Sequence, residues 1–118
     1  MWRFDKGDLK ERIYNLVGRI IRLLEKEYEK EKRLVKNVYI QLYRSITSVW
    51  ANLSESDVAI TDKEFYRILW IVLRELKESQ YWIRLLRKEY NFDLLEEEKE
   101  ILELIKIISK LVWNRKKL

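Results

Sequence analysis

Across 118 residues the chain carries no proline and only two glycines. These two residues punctuate secondary structure most strongly, proline by fixing φ and removing a backbone donor, glycine by entering conformations that side chains forbid. A chain almost without them has little material for tight turns or linkers, and 38% of its residues are charged. The expectation is one compact, nearly all-helical domain. Helix limits must then come from capping residues. Asp8 with Glu11, Thr61 with Glu64, and Asp93 with Glu96 each set a short oxygen-bearing side chain three residues ahead of a glutamate, so that both satisfy orphaned backbone donors.

Apolar spacing fills in the helices. Leu9, Ile13, Leu16, Val17, Ile20, Leu24 and Tyr28 recur at three- and four-residue steps, which makes one buried stripe. Val35, Val38, Leu42, Val49 and Leu53 form a second stripe after the charged run EKEYEKEKR, and a turn is expected near Glu29 to Lys32. A third segment has Phe65, Leu69, Val72, Leu76, Ile83 and Leu86 on one side, with Tyr66, Ile68, Trp70, Ile71 and Leu73 distributed around it. A helix apolar on nearly all sides is central or lies at an interface. The fourth runs from Leu94 through Ile101, Leu104, Ile105, Ile108, Leu111 and Val112. Helices at about 8-29, 33-56, 61-90 and 93-114 pack most simply as an up-and-down antiparallel four-helix bundle, with the first and last as outer walls around the middle pair.

Chemistry is sparse. Without cysteine there is no disulfide or thiolate site, and without histidine the Glu-x-x-His elements of di-iron bundles cannot be built. Serine has no histidine base and no S-x-x-K motif, so no catalytic residue, cofactor or metal is assigned. Glu55, Glu75 and Glu78 are expected to face inward in a buried network, with Arg44 as the donor and Asn52 closing the remaining bonds. Ser45, Ser48, Ala51 and Ser79 are small positions at which helix backbones can draw near. No apolar run approaches the roughly 18 to 20 residues of a membrane span, and the N-terminus MWRFDKGDLKER lacks a secretory pattern. An unprocessed cytoplasmic protein with no membrane partner is expected.

The run QLYRSITSVWANLSES, the capped start TDKEF and the run ILWIVLRELKESQYWIRLL resemble the four-helix bundle proteins encoded within intervening sequences of large-subunit ribosomal RNA genes. The matching positions lie between roughly Tyr14 and Leu86 and include Gln41, Arg44, Ser45, Ser48, Asn52, Glu55, Glu75, Glu78, Tyr81 and Trp82. Ile46 and Trp50 stand where that family usually has glycine. The family is similar to the accessory variability determinant of diversity-generating retroelements. That resemblance implies a basic, non-enzymatic bundle that assembles as a pentameric ring and works with a reverse transcriptase and its template RNA.

Five tryptophans and seven tyrosines are many for so small a chain. Tyr39, Tyr43, Ile46, Trp50, Tyr66, Trp70 and Leu73 lie off the main stripes, and a soluble monomer rarely leaves such a face open over more than a few hundred Å². They are expected to form an oligomer interface. Arg12, Arg19, Arg22 and Lys26 share one face of the first helix, while Lys110, Arg115, Lys116 and Lys117 crowd the C-terminus. Repeated around a ring, these residues would make a continuous positive band for the phosphates of RNA or DNA, although the net charge is only +5 and Glu96 to Glu100 with Glu103 offset it. The alternative is a structural or protein-interaction bundle of the intervening-sequence family, its charge serving solubility and with no nucleic-acid role.

Overall fold

A computed structural model describes residues 7–114, with side chains from residue 9. Four α-helices follow one another: α1 (Gly7–Glu27), α2 (Arg33–Ser56), α3 (Asp62–Tyr90) and α4 (Leu95–Asn114), with a 3₁₀ turn at Tyr28–Lys30 and no strand among the described residues. α1 stops where its apolar stripe stops. The charged run after Leu24 offers little more than Tyr28 to bury, and Glu31 N–H donates to the Tyr28 carbonyl at 3.2 Å as the chain turns into α2. Of the first expected capping box, Asp8 lies outside the described side chains and Glu11 is exposed.

At the start of α3 the Thr61 hydroxyl accepts Glu64 N–H at 3.1 Å, the N-cap bond that the sequence pattern called for. α3 ends at Asn91, whose φ of 58° lies in the left-handed region that asparagine tolerates. Phe92 N–H reaches back to the Leu86 carbonyl at 3.2 Å and closes the end. α4 begins at Leu95, two residues after Asp93, which is exposed. Leu94 is buried, and its carbonyl accepts Glu98 N–H at 2.9 Å. Burial of Leu94 sets this helix start, and the Asp93 and Glu96 capping box does not.

The connections are a few residues each, so consecutive helices run antiparallel. α2 and α3 make the most extensive pair; α1 packs on α2, α4 packs on α3, and α1 meets α4 to close the arrangement. Small residues bring the central pair together. The hydroxyls of Ser45 and Ser79 are both buried and lie 2.8 Å apart, one donating to the other, while carbonyls one turn back, Leu42 for Ser45 and Glu75 for Ser79, stand at 3.1 and 2.9 Å. Ser48 is half-buried and Ala51 exposed, so only two of the four small positions serve this approach.

Closure of α1 and α4 around the middle pair overturns most of the expected oligomer face. Tyr39, Ile46, Tyr66 and Leu73 are core residues, with Ile46 at 0% exposure. α1 covers one flank of α2, where Tyr14 meets Trp50 edge-on at 4.8 Å and Tyr28 meets Tyr39 at 6.3 Å. Phe92 closes on Tyr39 at 5.7 Å from the other side. Burial, reinforced by Glu31 and Glu27, keeps the Tyr39 phenol protonated well above its ordinary range. Trp50 is half-buried, and of the seven residues only Tyr43 and Trp70 are exposed. The sequence showed that these side chains leave the main stripes; it did not show that a neighbouring helix covers them.

Candidate nucleic-acid interface

The basic face expected on α1 is partly consumed within the fold. Arg12 donates from Nη2 to Glu100 at 2.6 Å and from Nε to the same carboxylate at 3.3 Å, and Nη2 also lies 3.3 Å from Glu103. Those bonds, the one to Glu100 above all, raise its pKa further, and this arginine ties α1 to α4 instead of facing phosphate. Arg19, Arg22 and Lys26 are exposed and in no ion pair with a described residue, and Lys110 is exposed on α4. Arg115, Lys116 and Lys117 lie outside the described residues.

The expected buried network is absent in that form. Arg44 is exposed and donates to Gln41 at 3.0 Å, Glu55 is exposed, and Asn52 donates to the Ser48 carbonyl at 2.9 Å. Glu75 and Glu78 are half-buried, and Glu78 accepts Trp82 Nε1–H at 3.3 Å. These residues flank the outside of the α2–α3 seam, because the inner side is already filled by apolar residues and the serine pair.

Desolvation, then Glu78, raises the Glu75 pKa, and Arg44 and Arg74 only partly oppose this. Between the ordinary carboxylate range and the raised value the native state holds more protons than the unfolded chain, so stability falls as pH rises through that window. Glu75→Gln should therefore melt above the parent at about pH 7, with the gap closing below about pH 4. Parallel thermal melts across that range check the sign; a variant that melts lower at neutral pH contradicts it.

α3 carries a long cationic surface. Lys63, Arg67, Trp70, Arg74, Lys77, Tyr81, Arg84 and Lys88 succeed one another at alternating steps of four and three residues, and all eight are exposed. Such spacing lays them along one face of a helix, over about 38 Å at 1.5 Å per residue. Six of the eight are cations and none is acidic. Among them only Arg84 pairs with a described carboxylate, Glu98, at a long 3.8 Å. This corrects the expectation that α3 is apolar on nearly all sides. The spacing is present in the sequence, interleaved with the apolar residues that occupy the other faces of α3.

A family model for the 23S rRNA-intervening sequence protein matches residues 6–114. The chain belongs to that family. A crystal structure of a protein of unknown function from the S23 ribosomal protein family of Bacteroides thetaiotaomicron VPI-5482 is similar in fold, with a TM-score of 0.78 and 25% identity, over 88% of this chain and 97% of that one. No curated protein matches.

In this intervening-sequence family chain, one acid of the run expected to offset the surface field is not on the surface: Glu98 is 5% exposed and accepts Arg87 Nε–H at 2.7 Å. Arg84 approaches its other oxygen, so α3 supplies both counter-charges. No helix is long and apolar enough to cross a membrane, and no group of three or more metal-ligating side chains gathers, among the described residues. What the surface offers chemically is charge and stacking area along α3.

Proposed function

We propose that this chain is a non-enzymatic binding module whose outer α3 face takes the phosphate backbone of nucleic acid. The observation that carries this reading is the row of six exposed cations on one helix face with no acid among them. Lone surface lysines and arginines are ordinary solvated groups, but a row of this length sums to a potential that phosphate can follow. Membership of a family named for an rRNA intervening sequence makes RNA the first ligand to test. Arg19, Arg22 and Lys26 add a second, weaker cationic surface on α1.

The resemblance to the retroelement accessory determinant extends the proposal to a cytoplasmic accessory protein that associates with copies of itself in a ring and with a reverse transcriptase. Of the apolar face expected to join copies only Tyr43 and Trp70 stay exposed, and Trp70 lies within the α3 cation row, so association would rest on Tyr43 and on polar contacts elsewhere. Light scattering with and without RNA tests this part on its own.

For phosphate binding, fluorescence anisotropy with a labelled RNA in rising salt is the deciding measurement. With about five phosphates contacted, log K should fall with log salt at a slope of about −3 to −4. Reversing Arg67→Glu, Arg74→Glu and Lys77→Glu together should remove most of the affinity while leaving the melting temperature nearly unchanged, since all three are exposed. Affinity absent at about 50 mM salt, or unchanged in the triple variant, rules against the reading.

A further inference from the structure

Resting on that phosphate-binding reading, we propose that the outer face of α3 selects single-stranded nucleic acid, with Trp70 and Tyr81 as stacking platforms for unpaired bases. These two rings are the uncharged members of the row, and each stands between cations: Trp70 between Arg67 and Arg74, Tyr81 between Lys77 and Arg84. Trp70 is 41% exposed and Tyr81 59%. Neither ring serves the core, and cations three or four residues away on either side make each a poor contact for a second copy bearing the same charges.

Tyr81 is also held in place. Trp82 packs against its ring edge-on at 4.7 Å and 73°, and Trp82 is itself anchored through Nε1–H to Glu78 at 3.3 Å. A ring fixed in this way loses little further freedom when a base stacks on it, and more than half of it stays open. The two rings are eleven residue steps apart on the helix, about 16.5 Å along the axis, and Arg74 and Lys77 lie between them. Stacking and phosphate contact therefore alternate along one line, the pattern that single strands satisfy because their bases turn outward. A duplex keeps its bases paired and can use only the cations.

The test compares three ligands of about 20 nucleotides per strand at low salt: an oligouridylate, an oligothymidylate and a blunt RNA duplex, each against parent, the double variant Trp70→Ala/Tyr81→Ala and the charge-reversed triple variant. Expected is at least about tenfold tighter binding of single strand than duplex, with tryptophan quenching, and loss of that preference in the double variant while duplex binding persists. Equal affinity for the two strand chemistries assigns selection to stacking; a preference for uridylate adds a 2′-hydroxyl contact and leaves the stacking claim intact. If single strand and duplex bind alike and the double variant behaves as the parent, the stacking inference is overturned and the phosphate reading stands. If nothing binds, or the charge-reversed variant binds as well as the parent, both fall together. Melts of each variant identify one that fails to fold, in which case Trp70→Leu replaces Trp70→Ala.

Discussion

Arg87→Ala should lower the unfolding free energy by about 3 kcal/mol, the largest loss expected from any single charge change in the described residues. Glu98 is 5% exposed and takes its best hydrogen bond from Arg87 Nε at 2.7 Å. Removing the arginine leaves a buried carboxylate with only Arg84, at 3.8 Å, to offset its desolvation. For a chain of this length the loss corresponds to a melting shift of about 10 °C. Replacing both partners by apolar residues, Arg87→Met with Glu98→Leu, should recover much of the stability, because the charge that needs a partner is gone. Urea unfolding of the three proteins measures this. A loss under about 1 kcal/mol for Arg87→Ala would mean that the pair is solvated and contributes no more than a surface ion pair.

Ile46→Ala should cost about 2 to 4 kcal/mol and leave the mass in solution unchanged. Ile46 is fully buried in the core cluster, where close-packed neighbours collapse only partly into the space that truncation leaves. Were it instead a subunit contact, truncation would alter association and barely touch the stability of one copy. Denaturation and light scattering on the same variant separate the two outcomes.

These two residues mark what local pattern can and cannot carry. Helices were legible because the three- and four-residue recurrence of Leu9 through Leu24, Val35 through Leu53 and Phe65 through Leu86 is a property of one segment at a time. The Thr61 cap was legible for the same reason, since its bond spans three residues. Asp93 misled because a buried Leu94 decided where α4 begins, and burial depends on what lies opposite. Tyr39, Ile46, Tyr66 and Leu73 lie off the main stripes yet are buried in the core, Tyr39 between Tyr28 and Phe92, and that burial depends on the helices packed opposite. Arg44, Glu55, Glu75 and Glu78 were grouped as neighbours and placed on the wrong side of the seam. The α3 row of cations was fully present in the sequence and needed only to be seen as a face.

The sequence by itself determined that the chain is helical, nearly where each helix lies, and that α3 carries six cations at face-forming steps, because backbone propensity, capping and helical periodicity act over a few residues. Only the tertiary structure decided which off-stripe side chains are core, which arginine is spent on an acid of another helix, and that Glu98 is buried between α3 and α4. Those outcomes depend on which helix faces which, a relation between distant segments that no local pattern encodes.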